Sequence, residues 1–200
     1  MIRAIIFDLG GVVIPFDFKR GYAAMEPHCP YPAAEIPRRI RATDLVRRYE
    51  SGEIESPVFV EELCRSLELR VSFEQFCELW TAIFLPGTLI PEDFFDRLRE
   101  RYRLVALSNT NELHFRQVEA NYPVIRKFDH LVLSYRSGCA KPDRRIYGEA
   151  VAQAGCRSEE CLFIDDVEAY VEGARSAGLE AFRFEDYAQL RIEFENRRIL

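Results

Sequence analysis

The sequence predicts an α/β fold: a parallel sheet flanked by helices, with a separate helical segment inserted near the start of the chain. Two observations predict it. Short apolar runs recur with helix-patterned stretches between them, and one long stretch, residues 15–84, carries helical patterns but no strand-like run. Alternation of strand and helix implies right-handed crossovers and a sheet covered on both faces. Strands buried on both faces read as unbroken apolar runs, not as alternating ones.

The first run, Ile2 to Phe7, ends at Asp8-Leu9-Gly10-Gly11 and reads as a central strand that stops at a glycine loop. The helical insert follows. Ser56-Pro57 reads as a serine cap followed by proline at the first helical position, ahead of an apolar stripe of Val60, Leu63, Cys64 and Leu67. Ser72 and Gln75 have the spacing of a capping box. They open a helix whose stripe is Phe73, Phe76, Cys77, Trp80, Ile83 and Phe84, expected to be bundle core and not a ligand platform. The insert leaves right after the first strand and returns before Pro86-Gly87, so it is placed to cover the strand ends as a lid.

Beyond it, Phe94, Phe95 and Leu98 mark a helix after Pro91-Glu92-Asp93, and Ile146, Tyr147, Ala150, Val151 and Ala154 mark another after Pro142. The remaining strands are Leu104 to Leu107, Leu131 to Leu133, Cys161 to Ile164 and a shorter run, Ala181 to Phe184. The expected architecture is a three-layer, Rossmann-like α/β core of residues 1–14 and 85–200, with a small all-helical cap domain at 15–84.

Composition narrows the function. The 200 residues are 48% hydrophobic and 30% charged, which suits ordinary globular folding. With 27 Lys and Arg against 33 Asp and Glu, the formal charge of -6 argues against a broad footprint for nucleic acid or an anionic membrane. The basic pairs Arg38-Arg39 and Arg47-Arg48 fit solvated helix faces. The apolar N-terminal run meets Asp8 too soon for a signal peptide or a membrane span, so a cytoplasmic protein is expected. Six cysteines without a CxxC are expected to be reduced and structural.

In open parallel sheets ligands sit beyond the carboxyl ends of the strands, and four strand ends carry distinctive polar residues. These are Asp8, Ser108-Asn109-Thr110, Lys141-Pro142 in the loop leaving the third strand, and Asp165-Asp166. Carboxylates supply the hard oxygen ligands that Mg2+ prefers. A lysine and a hydroxyl near free backbone N–H groups suit the oxygens of a phosphate. Singly, Ser108 or Asp165 could be a helix cap and Lys141 a solvated lysine. In this order at four strand ends, they make one chemical set.

Phe7-Asp8-Leu9-Gly10-Gly11-Val12-Val13, Leu107-Ser108-Asn109-Thr110-Asn111, Lys141-Pro142, and Phe163-Ile164-Asp165-Asp166 with Glu172-Gly173-Ala174 resemble the four ordered motifs of haloacid dehalogenase (HAD)-like phosphatases. The resemblance spans essentially the whole chain, and the helical insert matches the family's small cap in position. Within the superfamily the sequence is most similar to the bacterial alpha-D-glucose 1-phosphate phosphatases. The similarity lies in the Asp-x-Gly of the first motif, in Ser108 to His114 and in Gly52-Glu53-Ile54.

The resemblance implies an HAD-like fold, Mg2+ as cofactor and a small-molecule phosphate ester as substrate. It implies that one oxygen of Asp8 attacks phosphorus while the other binds Mg2+, which the Gly10 carbonyl, Asp165 and Asp166 also hold. Ser108 and the N–H of Asn109 would bind phosphate, and Lys141 would neutralise charge on the nucleophile and the transferring group. An aspartyl phosphate would form and be hydrolysed. A monomer and a homodimer both fit.

The chain departs from the family pattern twice. Gly10 stands where relatives carry a second Asp that protonates the leaving oxygen, a loss usually costing about 100 to 10,000-fold in rate. His114 and Asp17 are the substitutes suggested by proximity, as acid/base or substrate contact, although His114 also suits a surface helix position. A sugar 1-phosphate needs such help less, because its anomeric oxygen leaves as a stabilised hemiacetal oxyanion. Tyr170 lies after the double aspartate where many relatives have Asn, which implies a less firmly held Lys141. These departures keep two alternatives in view: a catalytically weak phosphate-ligand binding protein, and 2-haloacid dehalogenation, which needs no Mg2+.

Overall fold

The computed structural model describes residues 1–200. Five strands form one sheet: β1 (Ala4–Phe7), β2 (Arg103–Ser108), β3 (His130–Leu133), β4 (Cys161–Asp165) and β5 (Glu180–Arg183). Their order is β3-β2-β1-β4-β5 and every pairing is parallel. All five predicted runs are strands, the last shifted by one residue toward the N-terminus.

The insert folds as α1 (Phe18–Met25), α2 (Ile36–Arg41), α3 (Leu45–Glu50), α4 (Ser56–Leu67) and α5 (Phe73–Thr81). The helices of the remaining chain are α6 (Glu92–Arg99), α7 (Glu112–Asn121), α8 (Ser134–Ser137), α9 (Arg144–Ala154), α10 (Glu168–Ser176) and α11 (Tyr187–Asn196). None is long and apolar enough to cross a membrane.

The three layers follow from the two-residue period of a strand. Ile5 and Phe7 of β1, with Leu104, Ala106, Leu162 and Ile164 of its neighbours, pack on Phe94, Phe95 and Leu98 of α6 and on Leu190 and Phe194 of α11. Ala4 and Ile6, with Val105, Leu107, Cys161 and Phe163, pack on Ile146, Tyr147 and Ala150 of α9 and on Val171 and Ala174 of α10. Both faces of each central strand are thus covered, which is why these segments read as continuous apolar runs. All six cysteines are free thiols.

The insert has its own apolar cluster, including Met25, Ile36, Ile40, Tyr49, Phe59, Leu63, Phe76 and Trp80, and Leu113 of α7 joins it from the sheet side. Phe59 stacks on Tyr49 at 4.2 Å between ring centroids and meets Trp80 edge-on at 5.0 Å. The capping box at Ser72 forms as expected. Ser56 does not cap α4. It is the first helical residue, with Pro57 one position further in, and it is buried in a relay from the insert to α7. Ser56 Oγ donates to Glu112, which leaves the Tyr49 hydroxyl to donate to Ser56 at 2.6 Å, and the Leu113 N–H donates to Tyr49 at 3.1 Å.

Two adjoining segments carry the chain into and out of the insert. Asp17 N–H donates to the Ile83 carbonyl at 2.8 Å, and Leu85 N–H donates to that of Pro15 at 3.0 Å. A second seam lies just after α3, where Gly52 has φ +69° and a Cβ built on it would run into the Tyr135 carbonyl of α8. Both the left-handed backbone and the close approach need glycine here. Gly52→Ala is therefore expected to destabilise the protein by about 1–3 kcal/mol and to sensitise the insert to proteolysis. Denaturant unfolding checks this, and an unchanged midpoint would contradict the seam.

Candidate active site

β1 lies between β2 and β4, so the carboxyl ends of these three strands meet where the chain's strand order reverses, the usual place for a ligand crevice. Asp8 follows β1, its N–H donating to the Ile164 carbonyl at 2.9 Å. Ser108 closes β2 and Asp165 closes β4. Lys141 arrives from the loop between α8 and α9. Its Nζ lies 2.9 Å from Asp8 Oδ1 and 2.5 Å from Asp165 Oδ2, and donates to the Leu107 carbonyl at 3.2 Å. All three side chains are buried, and a buried charge persists only if it is paired and hydrogen-bonded.

Carboxylate oxygens of Asp8, Asp165 and Asp166 lie within 4.8 Å of one another, Asp166 being the exposed member. Three carboxylates against one ammonium leave two negative charges unbalanced when all are ionised, and the donors are all hard oxygens. That set fits a divalent cation. Without one, burial pushes the Asp8 carboxyl up to about 7, Lys141 pulling against it and Asp165 adding to the rise. Burial and Asp165 raise Asp166 as well. Burial alone would disfavour the Lys141 ammonium, but Asp8 and Asp165 outweigh it and hold its pKa above the ordinary lysine value.

Ser108 is buried and lines a small cavity of about 90 Å³ together with Gly10, Asn109 and Thr110. The Asn109 side chain has a task the sequence did not indicate. Its Nδ2 donates to the Lys141 carbonyl at 3.0 Å and its Oδ1 accepts from the Lys141 N–H at 2.8 Å, so it clamps the lysine loop. Ser134 of α8 fixes the next residue, accepting from Thr110 N–H and donating to its carbonyl, both at 2.9 Å. Tyr170 does not loosen Lys141. Its ring centroid lies 5.0 Å from Nζ, a cation–π distance, and its carbonyl is held by the Tyr147 hydroxyl at 2.7 Å.

His114 is not on the surface. It stacks on Trp80 at 5.0 Å, contacts Asn111 Nδ2 through Nδ1 at 3.1 Å and the Trp80 carbonyl through Nε2 at 3.0 Å, and burial pulls its pKa down to about 4. With both ring nitrogens engaged it forms a neutral wall and is poorly suited to shuttle protons. Asp17 is occupied in capping α1, accepting from Lys19 N–H at 2.9 Å. At Gly10, an added Cβ would stand 3.1 Å from Phe16 Cε1, so the Phe16 ring crowds the place a side chain would take.

The insert lines a larger, mostly apolar cavity of about 330 Å³ beside the small one. Phe18, Glu50, Ile83 and His114 line both. Trp80, expected to be core alone, is also a wall of the larger cavity. Glu50 was not anticipated. The available signal was its position four residues after Val46, on the same helix face.

A sequence profile described as haloacid dehalogenase-like hydrolase matches residues 2–178. The chain is 26% identical to the D-ribitol-5-phosphate phosphatase of Bacteroides thetaiotaomicron, over 96% of this chain and 97% of that one. It is 30% identical to a phosphatase of Mycobacterium tuberculosis, over 95% and 90%. An HAD family enzyme of B. thetaiotaomicron, solved with magnesium and inorganic phosphate, superposes with a TM-score of 0.84 at 27% identity, covering 95% of this chain and 99% of that one.

A carboxyl raised on folding keeps its proton in the native state after the unfolded chain has lost it. Its contribution to stability is complete below about pH 4 and is lost as pH rises to about 7. Metal-free protein is therefore expected to be more stable at about pH 5 than at about pH 8, and a divalent cation to lessen that loss. Denaturant unfolding in chelator checks this; a midpoint that climbs across the interval would contradict it.

Proposed function

The chain belongs to the haloacid dehalogenase-like hydrolases, and from that premise we propose that it hydrolyses a small phosphate monoester, with Asp8 as the nucleophile. The observation that carries the reading is Asp8 held 2.9 Å from a buried Lys141, with the carboxylate oxygens of Asp165 and Asp166 within 4.8 Å. We divide the chain into a catalytic core, residues 1–14 and 85–200, and a cap, residues 15–84.

Magnesium fits the donor set: Asp8, Asp165, Asp166 and the Gly10 carbonyl would hold it, and it supplies positive charge against the anionic phosphate. The other oxygen of Asp8 attacks phosphorus. Lys141 screens the repulsion between that carboxylate and the phosphoryl group, and remains charged because Asp8 and Asp165 stabilise its ammonium. Ser108 Oγ, which makes no hydrogen bond within the protein, donates to a phosphate oxygen beside the Asn109 N–H. The Asn109 side chain fixes the lysine loop, so the charge is in place before substrate arrives. The aspartyl phosphate on Asp8 is then hydrolysed, dividing one difficult displacement into two easier ones.

The substrate we assign is a sugar phosphate such as glucose 1-phosphate, with sugar-alcohol phosphates as the neighbouring class. The motif similarity and the missing acid at Gly10 favour an anomeric leaving oxygen, while the B. thetaiotaomicron relative acts on a polyol phosphate. The acidic pair beside Asp8 weighs against 2-haloacid dehalogenation, which requires no metal. A firmly held Lys141 weighs against a scaffold that only binds phosphate.

Phosphate release from glucose 1-phosphate and ribitol 5-phosphate tests the reading. Magnesium-dependent turnover is expected, lowered on the order of a thousandfold or more by Asp8→Asn and abolished by chelator. Absence of release from any ester in a broad panel would refute it.

A further inference from the structure

Glu50 ends α3 on the cap side, in the wall common to the small cavity at the strand ends and the larger apolar one. No hydrogen bond or ion pair reaches its carboxylate, and burial alone pushes its pKa up to about 7. Half-buried on a cavity wall and without a protein partner, the carboxyl is free to meet a ligand. It is also the only carboxyl lining the small cavity, whose other walls include Gly10, Phe16 and Ser108. Position 10 carries no side chain and the Phe16 ring crowds it, and neither His114 nor Asp17 is free.

We propose that Glu50, reaching in from the cap, is the catalytic acid and base that the core lacks at position 10. This rests on Asp8 being the nucleophile. As the ester P–O bond breaks and the bond from Asp8 to phosphorus forms, the Glu50 carboxyl gives its proton to the departing oxygen, which leaves as the free alcohol. The Glu50 carboxylate then takes a proton from the water whose oxygen attacks phosphorus. The bond to Asp8 breaks, inorganic phosphate leaves, and both carboxyl groups return to their starting states. The larger cavity receives the alcohol, with Glu50 in the wall it shares with the small one. Primary-alcohol esters, whose alkoxides are poor leaving groups, thereby become substrates beside anomeric ones.

The neighbouring titratable groups do not substitute for it. Arg41 at the end of α2 is a fixed positive charge on the cavity wall, Tyr22 of α1 is pushed up by burial, and His114 of α7 is pulled down to about 4. Glu62 of α4 faces Arg48 at 3.5 Å, and Arg136 of α8 lies over the Phe115 ring.

Wild type and Glu50→Gln are compared, with magnesium, on p-nitrophenyl phosphate, whose leaving group needs no proton, and on primary-alcohol esters including ribitol 5-phosphate and glucose 6-phosphate. The variant is expected to lose about 100-fold or more in kcat/KM, which reports formation of the aspartyl phosphate and not its hydrolysis, on the alcohol esters and less than about tenfold on p-nitrophenyl phosphate. The ratio of the two kcat/KM values, alcohol ester over p-nitrophenyl phosphate, should fall as pH rises through about 7 in wild type and be flat in the variant. Titration of Asp8 affects both esters alike and cancels in that ratio.

Equal losses of kcat/KM on both ester classes, or an unchanged pH dependence of the ratio, would overturn the role of Glu50 and leave Asp8 as nucleophile. Wild type that cleaves only p-nitrophenyl phosphate would likewise overturn it. Wild type that cleaves neither class overturns both readings, and p-nitrophenyl turnover by the variant itself reports an intact, folded site.

Discussion

A lysine ammonium buried between two carboxylates is the constraint on which the remaining structure turns. Lys141 has 4% of its surface exposed and Asp165 none, so each charge is tolerable only because the other is within 2.5–2.9 Å. That demand fixes much else. β4 must lie beside β1 to bring Asp165 to Asp8, and the Asn109 clamp and the Tyr170 ring hold the loop that brings Lys141. Two negative charges left over at one strand-end crevice are the thermodynamic reason for a divalent ion there, since like charges in a poorly solvated site raise one another's pKa until a cation offsets them.

The cap is tied to this crevice by polar as well as apolar contacts. The relay from the Leu113 N–H through Tyr49 and Ser56 to Glu112 anchors α3 and α4 to the start of α7, and Gly52 brings the following turn against Tyr135. Anchored on both sides, α3 presents its last residue to the space above Ser108. The cavity beyond it has a mostly apolar lining, where charges are less screened than in water.

Much of this arrangement was legible in the linear order of residues. The five strands announced themselves as apolar runs because both faces are buried, and Asp8, Ser108, Lys141 and Asp165-Asp166 stood out because each follows such a run. The capping box at Ser72 was readable because its geometry is local. Ser56 was misread for the opposite reason: its hydroxyl is used by partners 7 and 56 residues away, and nothing in the adjacent sequence records them. That both ring nitrogens of His114 are engaged was hidden for a similar cause, since Trp80, which covers it, comes from a different helix.

The sequence by itself determined the layer architecture, the helical insert and the identity of the charged groups, because strand period, helix stripe and local caps are written over a few consecutive positions. Tertiary structure alone decided which of those groups are free to react. Whether His114 is exposed, whether position 10 has room beside Phe16, and whether the Glu50 carboxyl finds a partner all depend on side chains that meet only after distant segments pack. Their desolvation, and with it the proton affinity of each group, is a property of the closed fold and not of the chain order.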